Sequence, residues 1–302
     1  MSTAMHSGQI AGKNKSFSAD RKFISGNKTL ALNHPHVMGI LNLTPDSFYS
    51  GSRFANNIEL IERTAIMISE GASVIDIGAV STRPNAEIVT ESEEIDRLIA
   101  PLEILCKNFP DTWFSVDTFR SKVAKMAIET GAALINDISG GTFDDEMFPL
   151  IASRNTPYIL MHISGNEEHM HQNKIKKEEV VAEVHRFFQR QSQKLINLGA
   201  SQIILDPGLG FNKSLEANYR LLGQLQNTGL KDFPLLVGVS RKSMINKVLN
   251  INPPQSLNGT SVLHTLALQN GANFLRAHDV KEAMECIKLW EFFQSALIDE
   301  NV

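Results

Sequence analysis

Eight short apolar runs are spread along the chain, and they are nearly continuous rather than alternating with polar residues. This pattern is typical of parallel β-strands that are covered on both faces. The predicted strands span residues 37–41, 74–78, 113–117, 134–138, 158–162, 203–206, 235–239 and 274–278.

Segments with helical spacing follow these runs. Seven runs each precede one helix, and the predicted helices span 58–70, 91–107, 121–130, 145–153, 178–198, 215–226 and 280–295. The remaining run precedes two helices, 242–249 and 259–270, which Asn252-Pro253-Pro254 separates. Gly-Ala pairs recur where helices end, at 71–72, 131–132, 199–200 and 271–272. Eight β-α units predict a single (β/α)8 TIM barrel, with a doubly wound open sheet as the alternative.

The N-terminal region divides into two parts. Residues 1–20 are rich in Ser, Lys and Gly and lack an apolar signal region, which indicates a disordered tail before a barrel domain over 21–302. An organelle transit peptide is a less favoured alternative. Two β-prone runs flank Gly26-Asn27 and predict an N-terminal β-hairpin, whose position suggests that it covers the open bottom of the barrel.

Polar residues collect at the C-terminal ends of the predicted strands. Active sites of barrel enzymes form at this face, from strand ends and the loops that follow them. One such residue can be a cap, but residues at seven of the eight strand ends predict a shared site. They are Asn42, Asp117, Asn136, Asp137, His162, Asp206, Ser240, Arg241, Lys242, Arg276 and His278.

The stretch IILDPGLGFNKS, residues 203–214, illustrates this arrangement. Its apolar strand ends at Asp206, and a glycine-rich turn then leads to Phe211, Lys213 and Ser214, the predicted N-cap of the next helix. Taken alone, the stretch fits a capped turn as well as a site. Lys213-Ser214 and Lys242-Ser243 lack the preceding glycines of a Walker A motif.

Other motifs also allow two interpretations. The loop 42–48 suits metal or phosphate binding, or is an N-capped turn. Ser81-Thr82-Arg83-Pro84 suits bidentate phosphate binding, or presents a surface Arg beside Pro. Asp117, Asn136 and Asp206 together can hydrogen-bond the edge of a flat heterocycle. His162 and His264 are favoured as structural histidines, and the loop 164–173 as solvated chain rather than a metal cluster.

Composition narrows the function classes. The 302 residues carry a formal net charge of −4, which does not indicate a nucleic-acid-binding protein. There is no apolar stretch long enough to predict a transmembrane helix or a membrane partner. Cys106 and Cys286 lack metal-ligand spacing and are expected to be reduced thiols, which favours a cytoplasmic location.

The motifs resemble the dihydropteroate synthase family of folate biosynthesis. The matching stretches, which are in family order and highly specific as a set, are VMGILNLTPDSF (37–48), ASVIDIGAVSTRP (72–84), FSVDT (114–118), INDISGG (135–141), LMHISGN (160–166), ILDPGLGFNKS (204–214), LLVGVSRKSMI (235–245) and FLRAHDVKE (274–282). The resemblance implies a transferase that joins 4-aminobenzoate to 6-hydroxymethyl-7,8-dihydropterin diphosphate and releases diphosphate. It also implies Mg²⁺ as cofactor, a homodimer and inhibition by sulfonamides.

The resemblance assigns roles to the matching residues. The implied pterin-binding residues are Asp117, Asn136, Met161, Asp206, Gly238, Lys242 and Arg276. The implied diphosphate-binding residues are Asn42, Thr82, Arg83, Arg276 and His278, with Asn42 also as metal ligand. The implied aminobenzoate-binding residues are Phe48, Pro84, Phe211, Lys242 and Ser243. Asp117, Asp206, Lys242 and Arg276 are expected to carry catalysis.

Three stretches depart from the family pattern. Residues 49–52, Ala79-Val80 and Asn85 stand where the family often has an acidic residue with Gly-Gly, Gly-Glu and Gly, respectively. All three lie in or beside the loops that complete the implied aminobenzoate site. A pterin-binding barrel without synthase activity is therefore the alternative. A methyltetrahydrofolate-binding methyltransferase is less favoured, because it lacks the Ser-Arg-Lys-Ser and Arg-x-His-Asp motifs.

Overall fold

The computed structural model describes residues 21–43, 53–80, 89–165, 174–228, 230 and 232–297. The predicted tail over 1–20 lies outside these ranges, as do the sequence departures at 49–52 and 85. Four predicted site residues, Phe48, Thr82, Arg83 and Pro84, also lie outside them.

Eight parallel strands form a closed ring in the described part of the chain. Strands that follow one another in the chain pair in parallel, and the first, over 36–42, pairs with the last, over 274–277. A parallel bridge between Leu205 and Leu235 joins the sixth and seventh strands and closes the ring. The (β/α)8 prediction is confirmed and the open-sheet alternative is wrong. The strands are β3 His36–Asn42, β4 Val74–Gly78, β5 Trp113–Asp117, β6 Leu134–Asp137, β7 Tyr158–Met161, β8 Ile203–Asp206, β9 Leu236–Val237 and β10 Phe274–Ala277.

Strand β9 is shorter than the predicted 235–239. The backbone N–H of Leu235 donates to the side-chain oxygen of Asn273 at 2.8 Å, so a side chain replaces a strand carbonyl as its partner. The other seven predicted strands agree with the structure to within one residue at either end.

Helices surround the ring, and the predicted ones are present. The predicted helix over 215–226 is divided into two helices, Leu215–Gly223 and Leu225–Thr228. A 3₁₀ turn, Pro253–Gln255, separates the helices Ser243–Leu249 and Leu257–Gln269. The Ser214 hydroxyl accepts from the Ala217 N–H at 3.1 Å, which confirms the predicted N-cap. The helices are α1 Arg53–Ser69, α2 Glu91–Asn108, α3 Ser121–Thr130, α4 Met147–Arg154, α5 Val180–Asn197, α6 Leu215–Gly223, α7 Leu225–Thr228, α8 Ser243–Leu249, α9 Leu257–Gln269 and α10 Val280–Ala296.

The N-terminal hairpin covers the bottom of the barrel, as its position suggested. Its strands, β1 Lys22–Ser25 and β2 Lys28–Ala31, pair antiparallel around Gly26. Phe23, Leu30 and Leu32 are buried in one cluster with apolar residues near the N-terminal ends of the barrel strands, including Met38 and Trp113. Closing this end leaves the opposite, C-terminal face for a site.

A separate apolar cluster lies at that C-terminal face. It contains Phe119, Ile138, Met161 and Ile163, with the partly buried Phe211 packed against it. The main core, between the ring and its helices, is a distinct cluster. An apolar wall therefore stands beside the polar strand ends.

Candidate active site

Three predicted site residues and Gly78 lie in register along the C-terminal edge of the ring. Asn42 pairs with Gly78, Gly78 with Asp117, and Asp117 with Asn136 across neighbouring strands. Residues paired in a parallel sheet occupy the same level, so this row is continuous. On the far side, Met161 pairs with Asp206 in the same way.

Arg276, on β10 beside β3, reaches across the ring interior to two strands of this row. Its Nε donates to Asp76 at 2.7 Å, and its Nη2 donates to Asp117 at 3.0 Å. Asp76 also accepts from the Asn136 side-chain amide at 3.0 Å. The guanidinium is therefore held by carboxylates from two strands, and hydrogen bonds to charged groups are the stronger ones.

Burial and neighbouring charges shift the protonation of these groups. Burial raises the pKa of Asp117 to about 7, although Arg276 opposes the shift. Burial also tends to lower the pKa of Arg276, but attraction by Asp76 and Asp117 outweighs it and raises that pKa. Arg276 therefore remains a cation, while Asp117 gains and loses its proton near neutral pH.

The loop after β8 supplies a second group of polar residues. Asp206 is 6% exposed, and its Oδ1 accepts from the Gly208 N–H at 2.7 Å. Burial raises the pKa of this carboxyl, while Lys242 and the Gly208 hydrogen bond oppose the shift. Gly208 has φ of +64°, and a Cβ there would collide with the His162 carbonyl oxygen. Only glycine therefore fits the turn that brings an N–H onto Asp206.

Lys242 and Arg276 approach one another at Gly238. A Cβ on Gly238 would lie 3.6 Å from Lys242 Nζ and 3.9 Å from Arg276 Cβ. Lys242 Nζ donates to the Leu209 carbonyl at 2.5 Å and lies 4.7 Å from the centroid of the Phe211 ring. Burial lowers the pKa of Lys242 to about 8, and Asp206 opposes that shift. The lysine is thus an ammonium group beside an aromatic face.

Two contacts hold the last two strand-end loops together. The ring nitrogen Nδ1 of His278 lies 3.0 Å from the Ser240 hydroxyl oxygen. Arg241 forms a bidentate pair with Asp279, Nε to Oδ2 at 3.1 Å and Nη2 to Oδ1 at 2.5 Å. These contacts bring His278 to the same face as Lys242, and Ser243 begins α8 there as an exposed residue.

The structure thus groups most of the predicted site residues. Those at the C-terminal face are Asn42, Asp117, Asn136, Met161, Asp206, Phe211, Gly238, Lys242, Ser243, Arg276 and His278. His162 and His264 are each 1% exposed, in agreement with the structural interpretation.

Asp76 was missed as a site residue. It lies inside the apolar run of β4, fully buried, and contacts two predicted pterin residues. A carboxylate within a buried strand is itself a signal, because a buried charge requires a partner.

The site offers oxygen ligands suited to Mg²⁺. No group of three or more His, Cys, Asp or Glu with metal-binding geometry occurs within the described ranges. Mg²⁺, however, is commonly held by one or two protein oxygens together with substrate phosphates. A Cβ on Gly78 would lie 3.8 Å from Asn42 Oδ1 and 3.9 Å from Asp117 Oδ2, so two oxygen-bearing side chains flank this glycine. The residues present therefore fit a magnesium ion shared with a diphosphate.

No helix in the described part of the chain has the length and apolar character required to cross a membrane.

Comparison with known proteins identifies the family. A family described as pterin binding enzyme matches residues 38–278. The dihydropteroate synthase of Escherichia coli K12 is 40% identical over 277 residues, which cover 91% of this chain and 97% of that protein. The Yersinia pestis dihydropteroate synthase, solved with a sulfonamide drug complex, superposes with a TM-score of 0.83 at 38% identity, over 91% of this chain and all of that one. The Xanthomonas albilineans enzyme, solved with 4-aminobenzoic acid, gives 0.82 at 34% identity, covering 91% and 98%. The chain belongs to the dihydropteroate synthase family of transferases.

Proposed function

We propose that this chain condenses 6-hydroxymethyl-7,8-dihydropterin diphosphate with 4-aminobenzoate to form 7,8-dihydropteroate and diphosphate. The proposal rests mainly on a hydrogen-bonded group at the C-terminal face. Arg276 donates to Asp117 and to Asp76, and Asp76 also accepts from Asn136. Asp206, at the end of β8, and Lys242, in the segment after β9, face the same region.

The proposed pterin site follows from hydrogen-bonding chemistry. A pterin ring presents amino and ring N–H donors on one edge and a carbonyl acceptor nearby. Asp206 and Asp117 can accept from the donors, and Lys242 can donate to the carbonyl. Arg276 presents a planar cation suited to stacking on the ring, and Met161 adds an apolar wall.

The proposed diphosphate site uses positive charge. As the carbon–oxygen bond to the diphosphate breaks, negative charge grows on the leaving group, and Arg276 and His278 stabilise it more than they stabilise the ground state. Thr82 and Arg83 belong to this proposed site on the resemblance alone. A bound Mg²⁺, held in part by Asn42, would neutralise further phosphate charge.

The same carboxylates serve the other half of the step. Loss of diphosphate leaves a cationic pterin methylene group, which Asp117 and Asp206 stabilise by their negative charge. The amine of 4-aminobenzoate then forms the new carbon–nitrogen bond and releases one proton. An aromatic amine needs no strong base, which agrees with the absence of a catalytic triad or nucleophile from the predicted site.

The proposed aminobenzoate site lies beside Phe211 and Ser243, with Lys242 between them and the pterin site. Phe48 and Pro84 complete the proposed site on the resemblance alone. Sulfonamides, which resemble aminobenzoate in shape, are expected to compete for it.

Incubation of the purified protein with pterin diphosphate, 4-aminobenzoate and Mg²⁺ tests the proposal directly. Diphosphate release that requires aminobenzoate is the expected result. Pterin binding without diphosphate release would instead establish the alternative, a pterin-binding barrel whose loop departures remove synthase activity.

We further propose that the chain forms a homodimer in the cytoplasm. Large exposed apolar side chains concentrate on α8 to α10, where Phe292 is 76% and Leu289 is 73% exposed. Neighbouring exposed side chains are Val248, Leu249, Leu257, Val262, Leu266, Phe293 and Leu297. A second copy of the same surface offers matching apolar cover, because a twofold interface is self-complementary. Both cysteines are free, which supports a reducing compartment.

Sedimentation of wild type and Phe292→Glu tests the dimer. The wild type is expected at twice the monomer mass and the variant at the monomer mass. Ile196→Glu is the matched control, because Ile196 is 44% exposed on α5, which follows β7, whereas α8 to α10 follow β9 and β10, and β8 separates β7 from β9 in the ring. A monomeric wild type, or a dimeric Phe292→Glu, contradicts the proposed interface.

A further inference from the structure

Asp76 is a charged residue in the interior of the barrel. It lies in the middle of β4, where all five residues are buried, and its own side chain is fully buried. Barrel interiors are normally filled by apolar side chains, and a buried carboxylate is costly unless it is paired. Its partners therefore indicate why it is present.

One oxygen of Asp76 serves two partners. Asp76 Oδ2 accepts from Arg276 Nε at 2.7 Å and from Asn136 Nδ2 at 3.0 Å. Within the described residues, the other oxygen, Oδ1, is buried without a hydrogen-bond partner. Both partners belong to the proposed pterin site, whereas Asp76 was not among the residues assigned to it.

This arrangement determines which atom Asn136 presents to a ligand. An ionised carboxylate only accepts hydrogen bonds, so the Asn136 amide must direct its NH₂ group to Asp76. The side-chain oxygen of Asn136 is then the atom available to a pterin ring N–H or amino group. An amide turned the other way would place its oxygen against the Asp76 carboxylate and its NH₂ group against the N–H donors of the pterin.

The same carboxylate orients the guanidinium of Arg276. Nε is held by Asp76 and Nη2 by Asp117, which are carboxylates on neighbouring strands. Two hydrogen bonds to separate anchors define the plane of the group. A flat ring that stacks on Arg276 needs this plane to be set before the ring arrives, because preorganised contacts cost less on binding.

We propose that Asp76 is a positioning residue that sets the amide orientation of Asn136 and the guanidinium plane of Arg276 for pterin binding. The inference rests on the proposed pterin site, and it adds a residue that does not itself touch substrate. Calorimetric titration with 6-hydroxymethylpterin tests it without any requirement for turnover.

Asp76→Asn keeps the size of the side chain and removes its charge. Its Kd for 6-hydroxymethylpterin is expected to rise about tenfold or more, the usual effect of losing hydrogen bonds to a charged group. The KM for 4-aminobenzoate should stay within about twofold, because the contacts of Asp76 within the described ranges are to Asn136 and Arg276, not to Phe211 or Ser243. A wild-type Kd in the folded variant overturns the proposal.

A double-mutant cycle separates positioning from a general structural effect. If Asp76 acts partly through Asn136, then Asp76→Asn combined with Asn136→Ala should raise the pterin Kd by less than the product of the two single effects, because the part that runs through Asn136 is lost only once. Fully multiplicative effects would mean that Asp76 acts independently, which overturns this part of the proposal.

Asp137→Asn is the matched control. Asp137 is an equally buried carboxylate on β6, but it accepts from the Tyr158 hydroxyl and the backbone N–H groups of Ser139 and Gly141. Its replacement should reduce stability while leaving the pterin Kd within about twofold of wild type. If Asp137→Asn weakens pterin binding as much as Asp76→Asn, the effect is structural and the positioning role is wrong.

A second variant, Asp76→Glu, tests the proposal in case Asp76→Asn is unfolded. If Asp76→Asn does not fold, Asp76→Glu retains the charge and displaces the carboxylate by one methylene. Positioning predicts about a tenfold higher pterin Kd there as well, and wild-type affinity overturns it. Failure of the proposed function can be distinguished from failure of the positioning role. If the wild type binds pterin but releases no diphosphate, the synthase activity is refuted and the binding test of Asp76 still applies. If the wild type binds no pterin, the synthase activity and the positioning role are both refuted.

Discussion

Replacing Asp117 with Asn is expected to stabilise the fold at alkaline pH while it removes activity. Burial raises the pKa of Asp117 to about 7, with Arg276 opposing and Asp76 adding to the shift. In an unfolded chain the same carboxyl has a pKa of about 4. The native state therefore retains this proton over a pH range in which the unfolded state has lost it. The free energy of unfolding falls as the pH rises through that range.

The magnitude follows from the size of the shift. Three pKa units at about 1.4 kcal/mol each amount to about 4 kcal/mol for an isolated group. Asp117 keeps 16% of its side chain exposed and interacts with Arg276, so a gain of roughly 2–4 kcal/mol is expected for Asp117→Asn at alkaline pH. Turnover should fall sharply, because Asp117 is the carboxylate proposed to accept from the pterin and to stabilise its cation.

Urea unfolding of both proteins across a series of pH values is the assay. The advantage of Asp117→Asn should be full above about pH 7, shrink by about 1.4 kcal/mol per unit below it, and vanish near about pH 4. Equal stability at alkaline pH, or a difference that does not vary with pH, would refute the reasoning. The pattern separates charge burial from packing, since a packing effect has no reason to follow proton binding.

Lys242→Ala and Arg276→Ala should each abolish diphosphate release without unfolding the barrel, as measured by turnover and circular dichroism; a normal rate in either refutes its assignment. Phe211→Ala should raise the KM for 4-aminobenzoate by about tenfold and leave pterin affinity within about twofold, because the ring is assigned to only one substrate. Equal effects on both substrates count against that role. Removal of Mg²⁺ with a chelator should stop turnover but leave the calorimetric Kd for 6-hydroxymethylpterin, which carries no diphosphate, unchanged; a parallel loss of both contradicts the placement of the metal at the diphosphate.

The fold was predictable because its signals are local and repeated. Each buried strand is a continuous apolar run, and the predicted helix-ending glycines at 71, 131, 199 and 271 all have positive φ. The first residue of β9 was not, because the Leu235 N–H donates to the side chain of Asn273, 38 residues away, instead of to a strand carbonyl. A hydrogen bond between residues so far apart in the chain has no local signal in the sequence.

The candidate site was predictable where polar residues interrupt strand ends, and less so within strands. Asp76 lies within an apolar run of the sequence. Its contact with the site becomes apparent only in the fold, where Arg276, 200 residues away, donates to it. The Arg241–Asp279 pair is likewise invisible in sequence, since its partners lie 38 residues apart on different loops. The resemblance to a known family supplied the chemistry that spacing alone did not.

The two lysines near Asp206 show how similar sequence contexts lead to different roles. Lys213 is 4% exposed, and its ammonium donates to the carbonyls of Gly208 at 2.8 Å and Phe211 at 3.1 Å. Burial lowers its pKa to about 7, against the attraction of Asp206. Its donors are thus engaged within the loop that carries Asp206 and Phe211, so it fixes the shape of that loop. Lys242 donates to the backbone carbonyl of Leu209. Because an ammonium group has three N–H donors, Lys242 can form further hydrogen bonds. Lys242 can therefore donate to a substrate carbonyl, whereas Lys213 fixes the loop beside the carboxylate and the aromatic ring that are assigned to the two proposed substrate sites.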